Sequence, residues 1–236
     1  MSSTLPIDRE EAARLADEFE ARPAEDVLRW AAERFAGRVV MTCSWQKQSS
    51  VLVHMLSEVA PQVRVVEFDT GLLFPETYET RERLISRYPI NFTRIDPELT
   101  VDEQAETHGD RLWERDPDAC CGIRKVAPLS RALEGMDAWV TGIRREQSTT
   151  RQNARKIEVD ERRGVVKVQP LADWTSRDVW RYIWRHGIPY NSLHDHGYPS
   201  IGCIPCTTSV TGAAPDERSG RWRGTGKLEC GLHGNG

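Results

Sequence analysis

The chain has 236 residues, a formal net charge of -4 at pH 7 and a hydrophobic fraction of 39%, a composition typical of an ordinary globular protein. No apolar run approaches the roughly 20 residues that span a bilayer, and the mildly acidic balance argues against broad nucleic-acid binding. No positively charged start is followed by an apolar stretch, so we expect a cytoplasmic protein without a membrane or nucleic-acid partner, and the sequence leaves the oligomeric state open, a homo-oligomer included.

Buried strands and helices alternate through the first 141 residues. Two leading helices are predicted at residues 8–20 and 23–35, strands at 38–43, 63–68, 90–95 and 137–141, and further helices at 49–60 and 75–88. Strands separated by helices of this length form βαβ units and a parallel sheet that is covered on both faces. We therefore predict a doubly wound, mainly parallel α/β fold with a ligand site at the carboxyl ends of its strands.

Polar turns follow the first two predicted strands. The first turn carries hydroxyls and a lysine at a helix N-terminus, a combination that can hold an anion, at Ser44, Lys47, Ser49 and Ser50. It lacks the Gly-x-x-x-x-Gly-Lys pattern of a P-loop, and a serine N-cap beside a solvated lysine is the alternative. The second turn contains Thr70 and Gly71. Two such turns at one edge of a sheet predict a nucleotide crevice.

The second half of the chain contains fewer regular elements. A hairpin is predicted from strands at 156–160 and 164–168, followed by a helix at 176–186 on which Trp180 and Trp184 share a face and are interpreted as packing residues. Residues 191–236 are rich in Gly, Pro, Ser and charge, so we expect a loop-rich C-terminal tail. The predicted organisation is a nucleotide-binding α/β unit at 1–190 and a C-terminal segment at 191–236 of the same domain.

Four of the six cysteines form two pairs, Cys120-Cys121 and Cys203-x-x-Cys206, and a fifth, Cys230, stands apart. A disulfide framework is typical of short secreted chains, which this is not. Two pairs can supply the four thiolates of an iron-sulfur cluster or a structural zinc ion. Adjacent cysteines crowd around one small ion, whereas a cluster offers separate iron corners. The pattern favours a [4Fe-4S] cluster over zinc, and it leaves Cys230 as a reactive thiol.

Several ordered motifs resemble the adenylyl-sulfate reductases of the adenosine-phosphosulfate and phosphoadenosine-phosphosulfate reductase family, from about residue 38 onward. The motifs are the modified phosphate loop at 44–50, Asp69-Thr70-Gly71, the run that begins at Cys120-Cys121, the arginine-containing run at 141–151, the segment at 170–174, Gly202-Cys203-Ile204-Pro205-Cys206, and the segment at 227–233.

The resemblance implies the fold of the adenine-nucleotide alpha hydrolases, with AMP bound at the sheet. It also implies a [4Fe-4S] cluster and thioredoxin as electron donor, with glutaredoxin or glutathione as substitutes. In the family the four-cysteine set accompanies preference for adenosine 5'-phosphosulfate, which is the substrate we expect. The cluster is expected to act structurally and electrostatically, because thiol exchange is two-electron chemistry that needs no one-electron carrier.

Residue chemistry points to the same reaction. A thiolate can attack the sulfonyl sulfur of a phosphosulfate with AMP as leaving group, and Cys230 is the predicted nucleophile, forming an S-sulfocysteine. The neighbouring Glu229 would raise the pKa of its thiol. Activation must then come from His233 or from nearby cations, for which the candidates are Lys227, Arg218, Arg221 and Arg223. Cys43 closes a predicted buried strand and is interpreted as apolar rather than as an internal resolving thiol.

Basic residues are expected to bind the charge of the substrate. By resemblance Lys125 lies between cluster and substrate, and the residues that match positions facing the phosphosulfate are Arg144, Arg151, Arg218 and Arg221. Arginine suits this role because its planar fork makes two charge-assisted hydrogen bonds to an oxyanion. Arg145, Arg162 and Arg163 are interpreted as solvated surface cations. The family's aromatic run after Arg221 is interrupted here by Arg223 and Gly224.

Three alternatives remain open at this stage. One is a reductase of the 3'-phosphorylated nucleotide, or of both nucleotides. Another is an ATP-dependent adenylylating enzyme of the same fold, which would need a Ser-Gly-Gly-x-Asp-Ser type loop where this chain has Ser44-Trp45-Gln46-Lys47. The third is a non-catalytic iron-sulfur redox sensor, which would leave the motif around Cys230 and the basic residues without a purpose.

Overall fold

A six-stranded sheet forms the centre of the protein. The structure, a computed structural model, describes residues 5–212 and 216–233. The strands are β1 (Val39–Cys43), β2 (Arg64–Phe68), β3 (Asn91–Ile95), β4 (Ala138–Val140), β5 (Ile157–Asp160) and β6 (Val165–Val168). The helices are α1 (Arg9–Phe19), α2 (Ala24–Arg34), α3 (Lys47–Val59), α4 (Pro75–Arg87), α5 (Val101–His108), α6 (Leu112–Arg115), α7 (Pro117–Cys121), α8 (Ala127–Leu133) and α9 (Ser176–His186), with a π-helical turn at Gly122–Val126 between α7 and α8.

The strand order places a ligand crevice at the middle of the sheet. The order is β3-β2-β1-β4-β6-β5, with β5 antiparallel to β6 and the other neighbours parallel. The chain moves outward from β1 to β3 on one side and then returns to place β4 on the other side of β1. In open α/β sheets such a switch point opens a crevice outside the carboxyl ends of the two central strands. The predicted doubly wound α/β fold is confirmed.

Nearly continuous burial along the central strands explains the two covered faces. Met41 and Val65 point to the face covered by α1, α2, α3 and α9, where the larger apolar cluster lies. Val40 and Trp139 point to the opposite face, where they pack against Leu129 of α8. Because side chains alternate along a strand, a continuous apolar run places hydrophobic groups on both faces, and the sheet must be covered twice.

Most predicted elements are found where the sequence placed them. Strand ends agree to within one residue and the ends of the predicted helices to within two. Pro75 stands at the start of α4, and α9 ends at Gly187 with φ +58°. Trp180 is partly buried against the main apolar cluster, in agreement with its interpretation as a packing residue. Trp184 stacks on the Trp180 ring and remains 70% exposed.

The helical region at 101–133 was not predicted. It consists of short helices with strong local start signals, such as the capping box of Thr100 and Glu103 on α5. Residues 191–212 and 216–233 contain only short 3-10 turns and isolated bridges, which confirms a loop-rich tail. Residues 1–4 and 234–236, which belong to the predicted 1–190 and 191–236 units, lie outside the described residues. Within the described part of the chain, none of the helices has the length and apolar character needed to cross a membrane.

Candidate active site

A cavity, here called the main cavity, opens at the carboxyl ends of β1, β2 and β4. Loops from all three strands line it, and it is closed from the other side by the C-terminal segment, defined as residues 216–233. The predicted site residues that line the main cavity are Ser44, Ser49, Thr70, Lys125, Arg151, Arg218, Arg221, Cys230 and His233. Residues almost 190 positions apart in sequence therefore converge on one cavity, as the strand order requires.

The loop after β1 is held in a strained conformation. Trp45 has φ +54°, a left-handed conformation that is uncommon for a bulky residue. Its side chain is 1% exposed, and its indole N–H donates to Glu67, which also forms a 2.8 Å ion pair with Arg81. Ser44 and Ser49 face the cavity with their hydroxyl oxygens 3.1 Å apart. The buried contacts of Trp45 and Glu67 thus hold the loop in a left-handed turn, a conformation that is more usual for glycine.

A histidine that the sequence did not reveal holds the start of α3. Nε2 of His194 accepts a hydrogen bond from the Lys47 backbone N–H at 3.2 Å, and Nδ1 lies 2.7 Å from the Tyr198 carbonyl oxygen. Burial lowers the pKa of His194 to about 4, so the ring remains neutral and can accept. No sequence motif marks His194, because its partner lies 147 residues away.

Four of the predicted binding residues do not line the main cavity. Lys47 and Arg144 are buried behind it and share the carboxylate of Glu217, at 3.1 Å from Lys47 Nζ and 2.5 Å from Arg144 Nη2. The Ser50 hydroxyl donates to the Gln46 carbonyl oxygen, as a helix-start residue does. Gly71, with φ +66°, forms the turn after β2. Their predicted substrate contacts remain predictions, and the contacts seen here give all four a supporting role.

Four cations line the main cavity, and two of them share the Glu229 carboxylate. The four cations are Lys125, Arg151, Arg218 and Arg221. Glu229 accepts two bonds from Arg151, both at 2.8 Å, and one from Arg218 at 3.1 Å. Burial and the neighbouring Arg151 lower the pKa of Arg218 to about 10, and the guanidinium still carries its charge at neutral pH. Glu67 and Glu217 also line the cavity but are paired with Arg81 and with Lys47 and Arg144, so the four cations leave an excess of positive charge that favours an anion.

Arg221 lies between the main cavity and the cysteines. Its guanidinium is 4.5 Å from the ring of Trp222 and lies so close to Gly202 that a side chain at that position would collide with it. Trp222 also stacks under Arg218, at 5.4 Å. One tryptophan therefore supports both arginines, although the rest of the family's aromatic run is missing here.

Cys230 is a buried thiol whose pKa is lowered. It is 8% exposed, and burial alone would raise its pKa. Lys125, the Leu232 backbone N–H, Arg218 and Arg221 outweigh burial and lower it, in that order of importance. Glu229 is ion-paired away from the thiol, so its expected unfavourable effect is offset. The surroundings of Cys230 thus favour a thiolate.

The other residues that were predicted to activate the Cys230 thiol are His233, Lys227 and Arg223, and they have different surroundings. His233 lies in the main cavity, where its ring stacks on Trp139 with centroids 5.0 Å apart. Burial and nearby cations lower the pKa of His233 far below its usual value, so it is neutral and does not supply positive charge. Lys227 pairs with Asp118, and Arg223 is exposed. Activation by cations is supported, with Lys125 as the main contributor instead of Lys227 or Arg223.

The two cysteine pairs meet at a second, smaller cavity. Cys120, Cys121, Cys203 and Cys206 all line it, together with Lys125 and Arg221, which line both cavities. Burial and the neighbouring thiolates raise the pKa of Cys120 to about 11, and burial raises that of Cys121 to about 11 as well. Burial raises the pKa of Cys206 as well, so these three thiols fit a site in which a cationic group compensates the thiolates.

The four cysteines share one cavity without forming a compact ligand set. In residues 5–212 and 216–233, no three His, Cys, Asp or Glu side chains are grouped closely enough to hold one metal ion. The four cysteine side chains nevertheless line the same space. Arg124, which the sequence analysis did not single out, donates to the Thr70 carbonyl oxygen at 2.6 Å and to Gln104 at 3.1 Å. It joins the helix after the cysteines to the turn after β2.

Arg163 was interpreted as a solvated cation, and this was wrong. Its side chain is 8% exposed, pairs with Asp160 at 2.8 Å and donates to the Gly231 carbonyl oxygen at 3.1 Å. The guanidinium also lies 5.5 Å from the Trp139 ring. Arg162 is exposed as expected, and Arg145 forms a two-pronged ion pair with Glu20. The β5–β6 hairpin thus holds the backbone next to Cys230.

The chain is similar to several known proteins. Residues 38–209 match the model of the phosphoadenosine phosphosulfate reductase domain. An adenosine 5'-phosphosulfate reductase of Bacillus cereus is 47% identical over 219 residues, which cover 92% of this chain and 93% of that protein. The crystal structure of phosphoadenylyl-sulfate (PAPS) reductase from Candida auris, a phosphate complex, has a TM-score of 0.77 at 31% identity and covers 88% of this chain and 100% of that one.

A more distant likeness concerns the fold alone. The FMN adenylyltransferase of Candida glabrata in complex with ATP has a TM-score of 0.55 at 14% identity, covering 84% of this chain and 63% of that one. Together with the strand order, this likeness confirms the predicted fold of the adenine-nucleotide alpha hydrolase type.

Replacing Arg163 should loosen the backbone around Cys230. Arg163→Ala removes a charge-assisted hydrogen bond to the Gly231 carbonyl oxygen, so amide hydrogen exchange in residues 229–233 should accelerate roughly tenfold or more. Exchange would be measured by mass spectrometry of the C-terminal peptide. Arg162→Ala is the matched control and should leave exchange unchanged, and Arg163→Lys should restore part of the protection. Equal exchange in both alanine variants would contradict this role.

Replacing Lys125 should make Cys230 less reactive near neutral pH. Lys125→Met removes the largest contribution that lowers the pKa of the Cys230 thiol, so that pKa should rise. Below the pKa, the thiolate fraction and the alkylation rate fall about tenfold for each unit of rise, while the rates at high pH converge. Alkylation of the Cys230 peptide, followed against pH by mass spectrometry, gives the profile. Lys227→Met should not move it, and an unmoved profile in Lys125→Met would refute the assignment.

Proposed function

Because the chain belongs to the phosphoadenosine phosphosulfate reductase family, we propose that it reduces adenosine 5'-phosphosulfate to sulfite and AMP in sulfate assimilation. It is an oxidoreductase of the adenosine 5'-phosphosulfate reductase type. The observation that supports the proposal most is Cys230, a buried thiol with a lowered pKa that shares one cavity with four cations. A thiolate and an anion site are the two features that attack on a phosphosulfate requires.

The first half of the reaction forms a covalent intermediate. The Cys230 thiolate attacks the sulfonyl sulfur, a sulfur–sulfur bond forms, and the bond from sulfur to the bridging oxygen breaks with AMP as leaving group. The product is an S-sulfocysteine. Lys125, Arg218 and Arg221 lower the pKa of the thiol and also lie where they can neutralise the leaving phosphate.

The second half releases sulfite. A thiolate of the donor attacks the Cys230 sulfur, sulfite leaves, and a mixed disulfide forms. The second thiol of the donor then resolves that disulfide, so the donor supplies two electrons and Cys230 returns as a thiol. We propose thioredoxin as the donor and the cytoplasm as the compartment. All six cysteines are free, which agrees with a reducing compartment. The pKa of Cys43 is strongly raised by burial, which supports an external rather than an internal resolving thiol.

The proposed roles of the binding residues follow from their positions. Lys125, Arg151, Arg218 and Arg221 would bind the phosphosulfate, and Ser44, Ser49 and Thr70 would contact the nucleotide at the strand ends. Gln48 Oε1, Thr141 Oγ1 and His233 Nδ1 line the same cavity and, within the described residues, lack a hydrogen-bond partner. Buried polar atoms of this kind are normally satisfied, so a ligand is the expected partner. Lys47, Ser50, Gly71 and Arg144 would support the loops from behind.

The alternatives are less well supported. An adenylylating enzyme must admit pyrophosphate close to the loop backbone, and here the loop contains the buried Trp45. A redox sensor has no use for Cys230 beside four cations. Preference for the nucleotide without a 3'-phosphate is supported by the name of the 47% identical relative, whereas the structural relative named for the 3'-phosphorylated compound is 31% identical.

A [4Fe-4S] cluster fits the second cavity. Cys120, Cys121, Cys203 and Cys206 would hold it, since all four line one space. Burial raises the pKa of Cys120, Cys121 and Cys206, and a bound cationic group would stabilise their thiolates. When bound, the cluster would contribute electrostatic and structural effects beside the anion site. Lys125 and Arg221 lie between this cavity and the main cavity, and they would respond to its charge.

Exposure to substrate without a thiol donor should leave a sulfonate on the protein. Anaerobically purified protein incubated with adenosine 5'-phosphosulfate should gain one SO3 group on the Cys230 peptide, because the second half of the reaction cannot proceed. Intact and peptide mass spectrometry would detect the gain, and added thioredoxin should remove it. Cys230→Ser should bind the nucleotide without gaining the group. The 3'-phosphorylated nucleotide, tested in parallel, should modify the protein less. No modification by either nucleotide would exclude a reductase of this type.

Loss of one cluster cysteine should remove the metal. Cys203→Ser should lower the iron and acid-labile sulfide of anaerobically purified protein to background, because three thiolates no longer complete the set. The matched control is Cys43→Ser, which alters a buried cysteine outside the second cavity and should retain the metal. One zinc ion per chain without sulfide in the parent protein would favour the structural-zinc alternative.

A further inference from the structure

The Glu229 carboxylate is paired with two of the arginines that line the main cavity, Arg151 and Arg218. Its two oxygens accept from Nε and Nη2 of Arg151, both at 2.8 Å, and one of them also accepts from Arg218 Nη2 at 3.1 Å. The Thr150 hydroxyl adds a bond at 2.9 Å. A planar arginine fork binds the oxygens of a carboxylate, a phosphate or a sulfonate in the same manner. The carboxylate therefore marks a position that suits an oxyanion.

We propose that Glu229 is an internal stand-in for the anionic group of the substrate, and that phosphosulfate binding transfers Arg151 and Arg218 from Glu229 to the substrate. Glu229 is then a residue that sets substrate affinity by competing for the same cations. The inference rests on the proposed function, because it assigns the incoming anion to a phosphosulfate.

The charges around Glu229 allow this exchange. Lys125, Arg151, Arg218 and Arg221 bring four positive charges to the main cavity. Glu67 and Glu217 also line the cavity, but Glu67 is paired with Arg81 and Glu217 with Lys47 and Arg144. The negative groups left to the four cations are therefore Glu229 and the Cys230 thiol. A phosphosulfate can therefore enter without a deficit of cations. Both arginines are already shielded from water, with about a tenth of each side chain exposed. Much of the desolvation cost of binding an anion is thus met before the substrate arrives.

An unsatisfied donor indicates that the arginines can accept another ligand. Arg218 Nε is buried and, among the described residues, has no hydrogen-bond acceptor. A tetrahedral anion presents more oxygens than a carboxylate and can engage this N–H together with Nη2. The substrate anion can therefore satisfy a donor that Glu229 leaves unpaired.

Glu217 provides an internal comparison. It belongs to the same C-terminal segment and lines the main cavity, but the two cations with which it pairs, Lys47 and Arg144, do not line it. The Glu217 pairs therefore join the segment to α3 and to the loop after β4 without occupying a cation that faces the cavity. Loss of the carboxylate at 217 or at 229 removes the same charge from the segment, but only the change at 229 frees arginines in the cavity.

The exchange predicts that removal of the Glu229 charge tightens substrate binding. Binding of adenosine 5'-phosphosulfate would be measured by calorimetry in the full chain with Cys230→Ser, which prevents the covalent step. Added Glu229→Gln should lower Kd about tenfold, as expected if the competing pair occupies the arginines about nine-tenths of the time. The Kd of AMP, which lacks the sulfonate, should fall less than that of adenosine 5'-phosphosulfate. Added Glu217→Gln should lower Kd less, because Glu217 lines the cavity but the cations that it releases, Lys47 and Arg144, do not.

A double-mutant cycle tests whether Arg151 carries the effect. In an Arg151→Met background the gain from Glu229→Gln should shrink, because the shared partner is absent. Glu229→Asp, which keeps the charge but is too short for the same two-pronged pair, should give a smaller gain and serves if the glutamine variant folds poorly. Weaker or unchanged binding in both Glu229 variants, or an equal gain in Glu217→Gln, would overturn the exchange while leaving the reductase proposal intact. No binding of adenosine 5'-phosphosulfate by any variant would overturn both.

Discussion

Compensation of buried positive charge is the constraint on which this structure depends. Six basic side chains are collected near the carboxyl ends of the central strands, at Lys47, Lys125, Arg144, Arg151, Arg218 and Arg221. Cations removed from water require close negative partners, or the fold loses several kcal/mol for each, on the order of 3 to 5. Glu217 and Glu229 supply such partners from the C-terminal segment to four of the six, namely Lys47, Arg144, Arg151 and Arg218. A segment with little regular structure is thus ordered by ion pairs rather than by backbone ladders.

The loop after β1, at the same edge of the sheet, is held in its conformation by buried contacts. A glycine would allow a left-handed turn at no steric cost, but here Trp45 adopts it. The strain is offset by the indole bond to Glu67 and by burial of the ring against Phe92. His194 holds the next residues from the other side. The loop is therefore shaped by its surroundings, and its polar side chains, Ser44 and Ser49, are presented in one fixed geometry.

The sequence predicted the elements whose signals are local. β1, β2 and α9 were placed to within one residue because apolar runs and helical spacing belong to each segment alone. The cysteine pairs and Cys230 were also recognisable by spacing. The partners of the cations could not be predicted from spacing, because Arg151 pairs with Glu229 across 78 residues and Lys47 pairs with Glu217 across 170. The same limit explains Arg163, whose burial depends on where the last residues of the described chain cross the hairpin.

Burial of Cys230 imposes an order of events in time. Cys230 is 8% exposed and lines the main cavity, so its thiol is not accessible to a partner as large as a protein. In the proposed reaction, a nucleotide would be attacked while the C-terminal segment is closed, but exchange with a protein thiol would require that segment to open. The two proposed half-reactions would then be separated, and kinetics of the ping-pong type would follow. Closure of the C-terminal segment would also shield the Cys230 thiolate from small oxidants between turnovers. The contacts that position the thiolate would therefore also determine how long it stays reduced.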